Sequence, residues 1–143
     1  MTFWDEYFEN ISQDLAGRSG SFKTIFKYLD ELKCKEVFIV ETGCYREEDN
    51  YRGDGCSTLL FDNYVKHRGG NVISIDISPE ACKLARENTS KHVEVICGDS
   101  VEELGYLEGK VDLLYLDSFN ITDWGNDWES SAHHLKELFA AKN

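Results

Sequence analysis

A doubly wound α/β sheet is the fold class this sequence predicts, and three observations predict it. Four short apolar runs, at about residues 36–41, 71–76, 92–97 and 111–116, are too brief for helices and apolar on both faces, as buried parallel strands are. A stretch of helical periodicity follows each of them, the alternation that produces right-handed crossovers in an open, mainly parallel sheet with helices on both faces. Each run also leads into an acid: Glu41, Asp76, Asp99 and Asp117.

Taken in order, the chain opens with Phe3, Tyr7 and Ile11 four apart and Trp4, Phe8 and Leu15 beside them, which predicts an apolar helical face over 3–15. Phe22, Ile25, Phe26, Leu29 and Leu32 predict a second helix, with Ser19 or Ser21 as its N-cap. Residues 1–33 thus form a helical extension packed on a single domain that spans 1–143. "EVFIV" is the first strand, and "STLLFDNYVKH" (57–67) is a helix stopped by "RGG". "NVISID" is the second strand. Ser78 as N-cap, Pro79 at the first helical position and Glu80 in the first turn then start a helix that runs to about Asn88. "HVEVICGD" is the third strand, "SVEELGYL" a short helix, "KVDLLYLD" the fourth strand and "ESSAHHLKELFAA" (129–141) the last helix.

Composition excludes several function classes. With 27 acidic against 15 basic residues and a net charge of -12, the chain lacks the cationic surface that binds a phosphate backbone, so no nucleic-acid partner is expected. There is no run of eighteen apolar residues, and the first ten residues are acidic and amphipathic. Neither a membrane span nor a signal peptide is therefore expected, and the location read from the sequence is cytoplasmic. Five cysteines without C-x-x-C spacing read as reduced thiols, some of them buried.

Ligands of open parallel sheets bind at the carboxyl ends of the strands, so Glu41 and Gly43, Asp76, Gly98 and Asp99, and Asp117 are the positions to watch. A lone aspartate after a strand is most often a helix cap. Four acids crowded at one edge fit a ligand rich in hydroxyl and amino groups and repel one rich in phosphate.

The series "VETGC", "GDGCST", "VISIDIS", "VICGDS" and "VDLLYLD" resembles the class I S-adenosylmethionine-dependent methyltransferases, most closely the methyltransferase domain 24 type, over residues 36–139. The resemblance implies a Rossmann-like fold and S-adenosyl-L-methionine as cofactor. It also implies cofactor-binding roles for Glu41, Gly43, Gly55, Ser57, Asp76, Gly98, Asp99 and Ser100. Asp76 would accept the ribose hydroxyls and Asp99 the adenine amino group. Asp117 would stand beside the transferred methyl, steering a small-molecule oxygen acceptor or holding a divalent metal. His133 or His134, in "HHLKEL", would act as general base or acceptor-binding group.

The departure from that pattern is the insertion "YREEDNYRGD" between Gly43 and Gly55, which reads as a solvated excursion rather than a lid over the cofactor. The loop "DSFNITDWGNDWE" brings Asp117, Asp123, Asp127 and Glu129 with no basic residue, the hard oxygen donors a divalent cation takes. Trp124 and Trp128 read as a lid or staple near a helix start, with the lining of an acceptor pocket as the alternative. The chain stops at "AAKN", so it is expected to hold the cofactor half of such a fold and to lack much of the acceptor half. "VDLLYL" would then be an apolar edge strand, covered either by a homodimer or by the N-terminal helices. Two other readings stand beside the methyltransferase: an NAD-dependent oxidoreductase using Asp76, and a non-catalytic cofactor-binding or interaction domain.

Overall fold

The computed structural model describes residues 2–52, 56–118 and 127–142, with the side chain of Asp127 outside the described set. Four parallel strands, β1 (Val37–Thr42), β2 (Gly70–Asp76), β3 (Val93–Cys97) and β4 (Leu113–Leu116), form one sheet in the order β3-β2-β1-β4. Connections therefore run outward from β1 in both directions, and the crevice where the order reverses lies at the carboxyl ends of β1 and β4. The expected doubly wound sheet is present, with strand limits within two residues of those read from the sequence.

Successive residues of β1 face opposite sides, and this sorts the helices. Val37 and Ile39, with Val72, meet α2 (Ser19–Glu31) and α3 (Ser57–Arg68) in a core of Phe22, Phe26, Leu29, Leu60, Phe61 and Tyr64. Val40 and Ile75 face the other way, toward Leu104 of α5 (Ser100–Tyr106) and Ala140 of α6 (Asp127–Ala141). The helix α4 (Pro79–Asn88) packs Ala81, Cys82 and Ala85 against Val95 of β3. All five cysteines are free thiols, with Cys44, Cys56 and Cys82 buried.

The N-terminal extension packs as expected but in a different form. Trp4–Phe8 is π-helical, with the Glu9 N–H reaching back to the Trp4 carbonyl, and runs into a single turn of α1 (Glu9–Ile11). The wider turn suits residues five apart, and Phe3 and Phe8 both lie on Phe26, with ring centroids 4.8 and 5.7 Å away. Neither Ser19 nor Ser21 caps α2. The 3₁₀ turn Ala16–Arg18 runs straight into that helix, so Arg18 sits at the N-cap and makes no side-chain cap bond. The start of α4 is as read: the Ser78 hydroxyl accepts from the Ala81 N–H at 3.3 Å, and Pro79 follows. Gly69, at φ +90, closes α3 with its N–H on the Val65 carbonyl at 2.8 Å.

Candidate active site

The short turn after β2 places Asp76. Its Oδ2 accepts the Cys44 N–H at 3.0 Å and its Oδ1 accepts the Ser78 N–H at 2.9 Å. A carboxylate has about four lone-pair positions, so each oxygen keeps one after these two bonds. The Arg46 guanidinium stands near the open position of Oδ2, with Nη2 3.7 Å away. Asp99 caps α5: its Oδ1 accepts the N–H groups of Val101 and Glu102 at 3.0 and 3.1 Å. The cap role common for a lone aspartate is thus real here, and both cap bonds fall on Oδ1. Asp76 and Asp99 line one cavity of about 210 Å³, together with Ile75, Ile77, Ser100, Ser118 and His133. No lysine or arginine lines it among the described residues.

Two buried carboxylates hold the strand ends that shape this cavity. Glu41, wholly enclosed, accepts hydroxyl hydrogen bonds from Ser57 at 2.8 Å, from Ser74 at 2.6 Å and from Thr58. Burial pushes its carboxyl up to about 7, against the three hydroxyls, which pull it down. Thr58 in turn accepts the Tyr45 N–H at 2.9 Å, so the carboxylate fixes both the start of α3 and the chain leaving β1. On the opposite face of β1, Glu137 of α6 is equally enclosed and accepts from Ser118 at 2.6 Å, Thr42 at 3.3 Å and Ser100. His133, one turn earlier on α6, brings Nε2 within 3.3 Å of both the Glu137 carboxylate and the Ser100 hydroxyl.

Acids at the tips of β2 and β3 thus share a cavity, in a parallel sheet whose order reverses beside them. Residues 54–138, more than half of the chain, match the family model of a methyltransferase domain. The chain belongs to that family. It is a class I S-adenosylmethionine-dependent methyltransferase domain, and its cofactor is S-adenosylmethionine. No curated protein matches it. The matched stretch begins after β1, yet β1 lies at the centre of the methyltransferase sheet between β2 and β4.

Within the methyltransferase domain the remaining expected residues fall into distinct groups. Gly43, at φ +83, is required by the fold itself, because a Cβ there would lie 2.2 Å from the Asp117 carbonyl oxygen. Gly98 is crowded by the Glu103 side chain, whose carboxylate oxygen would be 2.7 Å from an added Cβ. Expected as cofactor contacts, Glu41 and Ser57 have fully buried side chains that bond each other, and the Ser100 hydroxyl is turned to Glu137. These three side chains organise the site from behind. Gly55, Asp123 and Trp124 lie outside the described residues, as does the side chain of Asp127. Trp128 is 67% exposed, and so staples nothing.

The Asp117 N–H donates to the Thr42 carbonyl at 3.0 Å, which sets Asp117 at the tip of β4 beside the turn after β1. Among the described residues no three His, Cys, Asp or Glu side chains converge as metal ligands. The adjacent histidines diverge: His133 lines the cavity, while the Nε2 of His134 is buried without a hydrogen-bond partner. No helix among the described residues is long and apolar enough to cross a membrane.

The insertion is not simply a solvated excursion. Cys44 and Tyr45 are buried, Tyr51 packs on the α4 cluster, and only Glu47, Glu48, Asp49 and Arg52 are exposed among its described residues. Sequence reasoning missed Arg46 and Glu137. Nothing local marks Glu137 as buried, since its partners Thr42 and Ser100 lie 95 and 37 residues away.

Proposed function

We propose that this chain transfers a methyl group from S-adenosylmethionine to an oxygen of a small-molecule acceptor. The observation that carries the proposal is the single cavity lined by Asp76 and Asp99 at the tips of adjacent strands. On this reading the two ribose hydroxyls take the open positions on the Asp76 carboxylate, and the adenine amino group takes Asp99 Oδ2. Ile75 and Ile77 offer apolar surface to the base, and Ile77, 72% exposed, gains from being covered. The turn at Gly43 and the start of α3 at Ser57 would carry the amino-acid end.

When bound, the cofactor supplies an electrophilic methyl: its bond to sulfur breaks as the bond to the acceptor oxygen forms, sulfur keeps the electron pair, and the acceptor proton leaves. Asp117 at the tip of β4 orients the acceptor, its carboxylate being the candidate ligand should a divalent cation take part. His133 takes the acceptor proton, and the Glu137 carboxylate 3.3 Å away stabilises the imidazolium that results. The domain 24 subtype rests on the sequence series from "VETGC" to "VDLLYLD". Two copies pairing across β4 would also cover the exposed Leu135, Leu138 and Phe139 of α6.

Isothermal titration of the chain with S-adenosylhomocysteine, alongside NAD, tests the cofactor part. Saturable binding of the first and none of the second is expected. Absence of heat with S-adenosylhomocysteine, or tighter binding of NAD, would overturn it.

A further inference from the structure

Arg46 lies in the insertion that interrupts the family pattern, yet its guanidinium stands beside Asp76, at the border of the site. Its Nη2 is 3.7 Å from Asp76 Oδ2 and 3.1 Å from where a Cβ on Gly43 would stand. Arg46, its side chain 23% exposed, thus stands between the tips of β2 and β1. A separation of 3.7 Å is an ion pair without a hydrogen bond, so a ribose hydroxyl that donates to Oδ2 competes with it on favourable terms.

The sheet order fixes what lies next to that displaced cation. Neighbouring strands are about 4.8 Å apart, and the tips run β3, β2, β1, β4 across the edge. A nucleoside with its base at Asp99 on β3 and its sugar at Asp76 on β2 directs its 5′ substituent toward β1. The amino-acid end of the cofactor therefore arrives at the turn through Gly43, with the reacting methyl near Asp117 on β4. That end carries a carboxylate, and Asp76, Asp99 and Asp117 around it are all acids. A carboxylate entering such a group needs a cation, and a guanidinium presents two parallel N–H donors to one.

We propose that Arg46 is the carboxylate-binding residue of the cofactor site: the ribose releases it from Asp76, and it turns to pair with the carboxylate of the amino-acid end. The inference rests on the methyltransferase reading of the site and adds to it a cation supplied by the insertion. In the empty site Arg46 neutralises Asp76, and in the filled site it neutralises the ligand.

Two ligands separate this role from a structural one. S-adenosylhomocysteine carries the carboxylate, and 5′-methylthioadenosine has the same nucleoside and sulfur without it. Isothermal titration of the full chain and of Arg46→Gln with both is the test. The expected result is a loss of about 10- to 100-fold in S-adenosylhomocysteine affinity for the variant, with 5′-methylthioadenosine bound as well as before or better, since its ribose no longer competes with Arg46. Equal losses for both ligands, or no loss for either, would overturn the proposal. Should Arg46→Gln not fold, the wild type decides: its preference for S-adenosylhomocysteine over 5′-methylthioadenosine must shrink as salt rises, and a preference indifferent to salt overturns the ion pair. A wild-type chain that binds neither ligand overturns instead the methyltransferase reading beneath it.

Discussion

Replacing Glu41 with glutamine removes a charge that the fold encloses completely while keeping its shape and most of its hydrogen-bonding capacity. Burial raises the Glu41 carboxyl from 4.5 to about 7, with the hydroxyls of Ser74, Thr58 and Ser57 offsetting part of the effect. At 1.36 kcal/mol per pH unit, that places the ionised form about 3 kcal/mol above the neutral form, relative to the same pair in the unfolded chain. The sign follows from proton counting. Between 4.5 and about 7 the folded state keeps a proton that the unfolded state has lost, so stability falls as pH rises through that window and is flat from this source on either side. Glu41→Gln lacks the slope because glutamine does not titrate. Urea unfolding of both proteins across the window is the assay. The stability difference between variant and wild type should shift in favour of the variant by about 3 kcal/mol from the acid to the alkaline end. Parallel profiles would refute the reasoning, because they would mean that the carboxylate ionises inside the fold at no cost.

Other expectations follow from the same geometry. Gly43→Ala forces a Cβ to within 2.2 Å of the Asp117 carbonyl at φ +83, and thermal unfolding should show a loss of at least about 3 kcal/mol; an unchanged melting temperature would contradict the packing of Asp117 on the turn. Glu137→Ala leaves the hydroxyls of Thr42, Ser100 and Ser118 without their shared acceptor, and denaturant unfolding should register about 3 kcal/mol. Asp76→Asn should weaken S-adenosylhomocysteine binding about tenfold by titration calorimetry, and undiminished affinity would remove Asp76 from the ribose. If two copies meet over β4 and α6, Phe139→Glu, at a position 59% exposed, should convert a dimer to a monomer in sedimentation velocity; a wild type that is monomeric throughout contradicts the pairing.

What the sequence made legible was whatever rests on local pattern. The β-branched runs marked the strands because a strand buried on both faces is apolar throughout. Ser78-Pro79-Glu80 marked α4 because capping is settled within one turn. The site was legible only as positions: strand tips carry Asp76, Asp99 and Asp117 whatever the details of packing. Which way each side chain points was not. Glu41 resembles a ligand acid in sequence but turns inward to hydroxyls on α3 and β2, since residues next to each other on a strand face opposite sides. Glu137 reads as one more polar helix residue, and its burial depends on Thr42, Ser100 and Ser118 being brought to it by three different elements. Arg46 was hidden because an insertion gives no register from which to place it, and only the fold of the turn after Gly43 carries it back to Asp76. The N-terminal segment was read with the right apolar residues and the wrong helical period, since Phe3 and Phe8 pack one wide turn apart.

The most direct test is a crystal structure of the chain with S-adenosylhomocysteine. We expect the ribose hydroxyls on the Asp76 carboxylate, the adenine amino group at Asp99 and the amino-acid carboxylate over the turn at Gly43. A nucleoside found elsewhere, such as in the groove between Trp4, Phe8 and Lys27, or one whose sugar faces away from Asp76, would contradict the site.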